Sequence, residues 1–375
     1  MINYGRQLIE NDDIKAVLKT LKSEFLTQGF KTPEFEKEIN KKFGGKYSCV
    51  LSNGTASLHL LGKALGWKKD DLIATTPISF IASSNCIVNN NATPEFIDID
   101  SRTYLIDPNK LEHKLKKKKI KAVIAVDYAG HPCDWKSLNY LSKKYGFILI
   151  NDACHSMGSE YYSNKKYAIK YAHFVTQSFH PVKAITTGEG GSVISDNKRI
   201  IDKIKLMRSH SMIKNSKKLP WMYNILSTGQ NYRITDIQCA LGISQLKKLD
   251  RFIKERRKIA KFYVDRLKDY EIFTLPVEKK NCKHSFHLFP LLVEFKKIRH
   301  SKQEVFKRFL KKGIKLQVHY IPIHLQPFYK KNFRINRKEL ENAEEFYRKE
   351  VSIPIFPGLK KSQLFKVLSE LKRLY

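Results

Sequence analysis

Short apolar runs alternate with amphipathic stretches along the first two thirds of the chain. Runs rich in β-branched residues and bounded by turn residues lie at 47–51, 71–76, 93–99, 122–127, 147–152 and 174–178. Such runs are typical of buried strands. Stretches with apolar residues at helical spacing lie at 13–21, 33–43, 54–65, from about residue 80, and at 108–118. This alternation predicts an α/β fold with a mostly parallel sheet flanked by helices, and the run at 192–195 predicts an antiparallel return strand.

The pattern changes near residue 250, where a predicted helix at 235–246 is followed by a long basic helix at 250–269. A strand pattern at 285–295 and helices at 302–312, 340–349 and 361–373 come next, in α+β order. We therefore predict an N-terminal arm of residues 1–12, a large domain of residues 13–248 and a small C-terminal α+β domain of residues 249–375. Residues 211–228 read as a loop-like insertion.

Composition narrows the class of protein. The 70 Lys and Arg residues exceed the 36 Asp and Glu residues, which gives a net charge of +34. A basic chain can bind nucleic acid or a membrane surface, and this stays open as an alternative of a different class. The basic residues are scattered, however, with one dense run at 114–119. A positive field would also favour an anionic substrate.

Three further observations concern location and metal binding. No apolar run approaches the ~18 residues of a membrane span, so we expect no membrane insertion. The six cysteines lack a Cys-x-x-Cys pair, and the N-terminus lacks a secretory pattern, so we expect a cytoplasmic protein with reduced thiols. His284 with His287, and His319 with His324, lack Cys or carboxylate partners at ligand spacing, and we predict no metal.

Lys183 stands out from the other lysines because Phe179, Pro181, Val182 and Ala184 surround it in the sequence. A partly apolar setting lowers the pKa of a lysine and favours its nucleophilic neutral form, which covalent catalysis on carbonyl groups requires. The alternative is a buried aliphatic stem with its ammonium in water.

Two other features can also be interpreted either as part of a binding site or as ordinary structure. Gly54 and Thr55 follow a strand and begin a helix, which favours anion binding, although Ser52 or Asn53 could simply cap the helix. Asp152 ends a strand of the predicted sheet, where ligands bind in open α/β folds, and it could equally cap a following helix.

Taken together, these features suit an aldehyde cofactor that carries a phosphate and a basic ring nitrogen. Lys183 would bind the aldehyde, Asp152 would keep the ring nitrogen protonated, and Gly54, Thr55 and Ser178 would hold the phosphate. This set describes pyridoxal 5'-phosphate. Phe80 is our candidate for covering the ring face.

Several motifs, in this order along the chain, resemble the DegT-type nucleotide-sugar aminotransferases. They are residues 75–80 (TTPISF), 151–158 (NDACHSMG), 178–183 (SFHPVK) with 188–191 (GEGG), and 229–238 (GQNYRITDIQ). Residues 26–29 (LTQG), 126–130 (VDYAG) and 317–320 (QVHY) are most similar to the branch that acts in pseudaminic-acid biosynthesis. The resemblance implies a fold-type I enzyme with a mostly parallel seven-stranded sheet. It also implies a homodimer whose active sites lie at the subunit interface.

The resemblance also implies roles for individual residues. Lys183 matches the lysine that binds pyridoxal 5'-phosphate covalently as an imine, and Asp152 matches the partner of the ring nitrogen. His155 matches a polar neighbour of the ring, and Asn231 matches an asparagine that reaches the phosphate from the neighbouring subunit. The segments matched to substrate binding contribute Tyr4, Leu26, Thr27, His180, His319 and Tyr320.

The implied activity is transfer of an amino group from L-glutamate to C4 of a UDP-linked 4-keto-6-deoxy-N-acetylhexosamine, with pyridoxamine 5'-phosphate as the intermediate. The alternative within this class is another nucleotide-linked keto sugar, with the ketone at C3 or C4 and UDP or TDP as the carrier. A histidine in place of the lysine marks a dehydratase subgroup of the family, and Lys183 argues against it.

Overall fold

The structure is a computed structural model that describes residues 1–214 and 219–375. Its strands are β1 (Tyr47–Leu51), β2 (Leu72–Thr75), β3 (Thr93–Phe96), β4 (Ala122–Val126), β5 (Ile148–Asp152), β6 (Glu160–Tyr161), β7 (Phe174–Ser178), β8 (Gly191–Ser195), β9 (Met212–Lys214), β10 (Tyr223–Ile225), β11 (Phe273–Thr274), β12 (Cys282–Lys283), β13 (Phe289–Val293) and β14 (Glu350–Ile353). Its helices are α1 (Asn11–Leu21), α2 (Lys31–Phe43), α3 (Gly54–Ala64), α4 (Ala82–Val88), α5 (Pro108–Leu115), α6 (Trp135–Tyr145), α7 (Tyr167–Tyr171), α8 (Lys198–Arg208), α9 (Asp236–Leu267), α10 (Lys302–Lys311), α11 (Pro327–Asn332), α12 (Glu341–Lys349) and α13 (Lys361–Lys372).

A seven-stranded sheet in the order β1-β8-β7-β5-β4-β2-β3 forms the centre of the large part of the chain. β8 pairs antiparallel with both of its neighbours, and the remaining pairs are parallel. Six strands therefore end at the same edge of the sheet. The predicted α/β class, the mostly parallel sheet and the antiparallel return strand are confirmed.

Side chains alternate between the two faces of this sheet with the period of two that strands impose. On β4, Ala122 and Ile124 join one apolar cluster, whereas Val123 and Ala125 join another. Helices α3, α4 and α8 cover the first face, and α5 and α6 contribute to the cover of the second. Both faces are thus buried, which explains why these strands read as continuous apolar runs rather than alternating ones.

Helix α9 differs from the prediction of two helices, because it runs unbroken through 32 residues. Leu246 and Leu249 continue its buried stripe across the gap between the two predicted helices. Thr235 and Gln238 form a capping box that begins the helix. The predicted domain boundary at 248/249 falls inside α9, and that division stays a prediction.

The last third of the chain has its own apolar core, formed by the end of α9 with α10, α13 and the three-stranded sheet β11-β13-β14. The N-terminal arm pairs with this part, since Ile2 N donates to Gly313 O at 2.7 Å and Ile2 O accepts from Lys315 N at 2.8 Å.

Residues 211–228 were predicted to be a loop, but within the described residues β9 and β10 form an antiparallel pair. All six residues of these two strands are exposed. Because neither face is buried against this chain, the sequence lacks the alternation that marks a half-buried hairpin. Within the described ranges, no helix is both long and apolar enough to span a membrane.

Candidate active site

A cavity of about 820 Å³ opens where the strands of the large sheet end. Val126 at the end of β4, Asp152 at the end of β5 and Ser178 at the end of β7 all line it. This is the position at which open α/β sheets bind ligands. The predicted site residues that line the cavity are Tyr4, Gly54, Thr55, Phe80, Asp152, His155, Ser178, His180, Lys183, His319 and Tyr320.

Lys183 lies on the loop that follows β7, and its N–H donates to His180 O at 2.8 Å. Burial lowers the pKa of the Lys183 ammonium, and the nearby Asp152 carboxylate partly opposes this shift. A lowered pKa makes the neutral amine accessible, as the sequence interpretation requires. The residue is half-buried and lines the cavity.

Asp152 is 4% exposed, and both of its carboxylate oxygens accept hydrogen bonds. Oδ2 accepts from Ser83 Oγ at 2.7 Å, and Oδ1 accepts from Cys154 N at 3.2 Å. Ser83 Oγ also lies 2.7 Å from Ser79 Oγ. No helix follows Asp152, so the carboxylate caps a turn and does not begin a helix. Its position at the cavity is therefore fixed by α4 as well as by its own strand.

The beginning of α3 forms another wall of the cavity. Asn53 caps this helix, because its Oδ1 accepts from Ala56 N at 2.7 Å. Gly54 and Thr55 precede that capped position, and the first N–H groups of a helix have no partner within the helix. A Cβ added at Gly54 would lie 2.9 Å from Ser178 Cβ, so only glycine lets the helix approach the end of β7 this closely. The capping and anion-binding alternatives are thus compatible here.

His155 and Tyr320 form a polar pair at the cavity. His155 Nδ1 accepts from Ala129 N at 3.3 Å, which places the ring proton on Nε2. Nε2 lies 3.2 Å from Tyr320 Oη and can donate to it. Burial, followed by the charge of Lys183, lowers the pKa of His155 well below its usual value. The ring is therefore neutral and keeps one tautomer.

Three predicted site residues do not line the cavity of this chain. Leu26 and Thr27 lie in an exposed loop that pairs with Thr235 and Asp236 at the beginning of α9. Asn231 is exposed and pairs with Ser209. Their predicted roles stay predictions, and the role predicted for Asn231 is in a neighbouring subunit.

The structure adds cavity residues that the sequence interpretation missed: Asn53, Ser79, Ser83, Cys154, Glu189, Tyr232 and Gln317. Ser83 could have been suspected, because the segment after β2 leads to the same edge of the sheet as Asp152. Gln317 and Tyr232 lie in the motifs at 317–320 and 229–238, although the sequence analysis singled out His319, Tyr320 and Asn231 from those motifs and not these two residues.

The histidines considered for metal binding have other contacts. The His287 ring lies 4.4 Å from that of His155, and His324 Nε2 lies 3.2 Å from Glu344 Oε1. In the described part of the chain, the group with metal-ligand geometry is Glu10, Asp12 and Asp13. The Lys248 ammonium occupies the centre of that group, 2.5 Å from Asp12 Oδ1 and 2.8 Å from Asp13 Oδ2.

Comparisons with known proteins agree over nearly the whole chain. The model of the DegT/DnrJ/EryC1/StrS aminotransferase family matches residues 7–372. A Campylobacter jejuni protein named UDP-4-amino-4,6-dideoxy-N-acetyl-beta-L-altrosamine transaminase is 41% identical over 384 residues, which covers 100% of both chains.

Solved structures of two proteins are similar along nearly their full length. The Helicobacter pylori protein PseC, described as an aminotransferase involved in the biosynthesis of pseudoaminic acid, is 34% identical with a TM-score of 0.92, and the match covers 100% of this chain and 99% of that one. Spr1654 from Streptococcus pneumoniae, solved in a PLP-form, is 25% identical with a TM-score of 0.90 over 99% of this chain and 97% of that one. Its PMP-form has the same identity and TM-score over 100% and 99%.

Proposed function

The chain belongs to the DegT/DnrJ/EryC1/StrS aminotransferase family, and we propose that it transfers an amino group from L-glutamate to C4 of a UDP-linked 4-keto-6-deoxy-N-acetylhexosamine. The full-length similarity to a transaminase named for a UDP-linked amino sugar supports this substrate class. The structural similarity to PseC points to the same pseudaminic-acid type of reaction. The family implies pyridoxal 5'-phosphate as the cofactor, and a structural neighbour exists in PLP- and PMP-forms.

The observation that carries the proposal is that Lys183, Asp152 and the beginning of α3 all line one cavity. This donor set fits the cofactor, since it offers an amine of lowered pKa, a buried carboxylate and unpartnered helix N–H groups. The close approach of Gly54 to Ser178 keeps side-chain atoms out of the space where a phosphate would bind.

We assign the cofactor contacts as follows. Lys183 would hold the aldehyde carbon, Asp152 the ring nitrogen, and Gly54, Thr55 and Ser178 the phosphate. Phe80 is 54% exposed at the cavity and would cover the ring face, next to Tyr320, whose ring centroid lies 6.1 Å from its own. The neutral His155 would contact the ring without adding charge. When bound, the cofactor supplies an electron sink that stabilises negative charge on the substrate carbon.

Lys183 is the group that moves the proton. As a neutral amine, its Nζ can take the proton from the α-carbon of glutamate, and for the sugar it acts in the opposite direction at C4. Cys154 is a poor competitor for this role, because burial raises the pKa of its thiol well above the usual value and keeps it protonated. Asp152 is held by Ser83 and by the backbone, so it stays with the ring nitrogen rather than exchanging protons with substrate.

Substrate contacts are assigned to the rest of the cavity. Tyr4, His180, His319 and Tyr320 line it and would face the sugar and the amino donor. Burial lowers the pKa of His180, and its ring is neutral at pH 7. The net charge of +34 favours the approach of a diphosphate-linked sugar.

We propose that the enzyme acts as a homodimer, in which Leu26, Thr27 and Asn231 serve the active site of the other copy. Large apolar side chains that one chain leaves exposed support this proposal. They include Phe30, Trp221 and Ile14, which are 79%, 74% and 56% exposed. Exposed apolar side chains of this size are available to be buried against a second copy. The arm, large domain and small domain at 1–12, 13–248 and 249–375, and a cytoplasmic location, remain part of the proposal.

The test is an amino-transfer assay with purified protein, pyridoxal 5'-phosphate, L-glutamate and a panel of nucleotide-linked 4-keto and 3-keto sugars. We expect an amino sugar from the UDP-linked 4-keto-6-deoxy-N-acetyl substrate, with an equal amount of 2-oxoglutarate. Lys183→Ala should abolish both products and the yellow colour, whereas Lys261→Ala, on the exposed side of α9, should change neither. Turnover by the Lys183→Ala variant would overturn the mechanism, and preference for another nucleotide sugar would overturn the substrate assignment.

A further inference from the structure

A chain of buried hydrogen bonds lies behind the cavity and ends at His319. Ser352 Oγ lies 2.5 Å from Glu350 Oε1 and 2.9 Å from His319 Nδ1. His319 N donates to Glu350 Oε2 at 3.0 Å. Glu350 is 0% exposed and Ser352 is 1% exposed, so the hydrogen bond between them is closed to solvent. Of these three residues, His319 alone lines the cavity.

The protons shared among Glu350, Ser352 and His319 can be counted. The backbone N–H of His319 can only donate, so Glu350 Oε2 must accept, and any proton on the carboxyl group sits on Oε1. The hydroxyl of Ser352 has one proton and two neighbours. It can give this proton to Glu350 or to His319, but not to both.

These constraints leave two arrangements. If Glu350 is ionised, it accepts from Ser352, and Ser352 accepts from an Nδ1–H of His319. The Nε2 of His319 then carries a lone pair. If Glu350 is protonated, it donates to Ser352, Ser352 donates to Nδ1, and Nε2 carries the proton.

His319 itself remains neutral in both arrangements. Burial, followed by the charge of Lys183, lowers its pKa to about 3. A neutral imidazole carries one proton, so what varies is which nitrogen holds it. Because Ser352 occupies Nδ1, Nε2 is the nitrogen that can serve a molecule in the cavity.

We propose that Glu350, acting through Ser352, decides which ring nitrogen of His319 carries the proton, and hence whether His319 offers the cavity a lone pair or an N–H donor. Glu350 is a positioning residue in this scheme, because it acts through His319. A lone pair would accept from an ammonium or hydroxyl group. An N–H would donate to a keto, carboxylate or phosphate oxygen. The consequence for substrate rests on the proposed function, whereas control of the tautomer does not.

The groups that face Glu350 are Lys302, His319 and the phenols of Tyr104, Tyr128 and Tyr320. Burial raises the pKa of each phenol, so these groups stay neutral. Lys302 is the cation among them. Burial raises the pKa of Glu350 to about 8 and lowers that of Lys302 to about 8, so the two arrangements interchange within the range of ordinary buffers.

Glu350→Gln is the decisive variant, because it keeps the shape of the side chain and fixes one arrangement. The amide oxygen must face the N–H of His319, so the NH₂ group faces Ser352 and donates to it. Ser352 then donates to His319 Nδ1, and the proton of the ring stays on Nε2 at every pH. Ser352→Ala removes the link altogether.

The measurement is solid-state NMR of microcrystalline protein with labelled histidine, in which carbon and nitrogen shifts distinguish the two tautomers. His319 is identified among the 12 histidines by the signal that His319→Gln removes. Between about pH 6 and about pH 10, the wild type should change from the Nε2–H to the Nδ1–H tautomer as Glu350 ionises. Glu350→Gln should show Nε2–H throughout, and Ser352→Ala should show no pH-dependent change.

Glu344→Gln is the matched control, because Glu344 also contacts a buried histidine, His324, outside the cavity. It should leave the His319 signal unchanged. The proposal is overturned if the wild type and Glu350→Gln have the same tautomer at every pH, or if Glu344→Gln alters His319 equally. Should Glu350→Gln fail to fold, a Ser352→Ala variant that still switches with pH overturns it as well.

A kinetic experiment separates this inference from the proposed function. Reversal of one hydrogen bond at Nε2 should change KM for the amino donor or the sugar by roughly tenfold in Glu350→Gln at alkaline pH. A tautomer that switches in a protein without amino-transfer activity would reject the proposed function and leave the inference standing. A tautomer that does not respond to Glu350 rejects the inference whatever the activity.

Discussion

Asp127 does not line the cavity. We nevertheless expect it to be one of the residues on which the stability of the fold depends most. It is fully buried, and five donors converge on its carboxylate. They are Cys133 N at 2.7 Å, Trp135 Nε1 at 3.0 Å, Asn151 Nδ2 at 3.1 Å, Ser156 Oγ at 2.9 Å and Tyr167 Oη at 2.6 Å. Asn151 and Ser156 flank the segment that carries Asp152 and His155.

Two substitutions separate the loss of charge from the loss of acceptors. Asp127→Ala leaves five buried donors without a partner, at about 1–3 kcal/mol each before relaxation, so we expect a loss of at least about 4 kcal/mol in the free energy of unfolding. Asp127→Asn should cost less, about 1–3 kcal/mol. Its oxygen can serve the fixed donors Cys133 N and Trp135 Nε1, and the hydroxyls of Ser156 and Tyr167 can rotate to accept from its NH₂ group. Asn151 Nδ2 is then the donor left without its acceptor.

The assay is urea unfolding of the cofactor-loaded protein, followed by intrinsic fluorescence, with Asp134→Ala as the control. Asp134 caps α6 from a partly exposed position and accepts from Ser137 N at 3.3 Å, so its loss should cost about 1 kcal/mol. An unfolding midpoint for Asp127→Ala no lower than that of Asp134→Ala would refute the reasoning, because it would mean that the buried donors find other acceptors.

Three further predictions concern the site and its support. Gly54→Ala places a Cβ 2.9 Å from Ser178 Cβ, so the affinity for pyridoxal 5'-phosphate, measured by absorbance titration, should fall at least about tenfold. Unchanged affinity would contradict the assignment of the phosphate to the beginning of α3. Burial lowers the pKa of Lys183 below 10.5. The rate at which cofactor-free protein binds pyridoxal 5'-phosphate should therefore rise with pH and level off below pH 10.5. A plateau only above that value would be inconsistent with a buried amine. Lys248→Met should cost about 3–5 kcal/mol in urea unfolding, since it leaves a fully buried carboxylate without its cation, whereas the exposed Lys247→Met should cost little. Although burial lowers it, hydrogen bonds to three carboxylates raise the pKa of Lys248, so this stabilisation should be complete below pH 10.5 and decline as pH rises through the folded-state pKa.

The parts of the fold that the sequence predicted are those in which local pattern and tertiary environment agree. The strands of the large sheet are buried on both faces, and their β-branched runs identified each of them to within a few residues. The prediction failed at residues 247–249, which it left between two helices although α9 runs through them. Lys248 lies in that segment, and it is buried among carboxylates of the N-terminal segment without interrupting the helix.

The same distinction applies to the cavity residues, because chain order predicts some of them and only tertiary contacts place the others. Asp152 ends β5 and Lys183 lies on the loop after β7, so chain order places both at one edge of the sheet. Ser83, by contrast, reaches Asp152 across 69 residues, and chain order places its segment at that edge of the sheet without indicating which of its side chains contacts Asp152. A contact of this kind depends on the strand order, in which β2 lies beside β4 and β4 beside β5.

His319 shows most clearly why chemistry at the cavity exceeds what local sequence can predict. Its motif suggested a substrate contact, but whether the ring donates or accepts depends on Glu350 and Ser352, more than 30 residues away in β14. The sequence analysis assigned no element to those two residues, which lie between the helices predicted at 340–349 and 361–373. Their ability to set a proton arises only because the loop at residue 317 pairs with Ser352, which turns two polar side chains of a strand toward the imidazole. Substitution of Glu350 by glutamine would therefore alter hydrogen bonding in the cavity although Glu350 itself does not line it. The tautomer of His319 is the observable that reports this change.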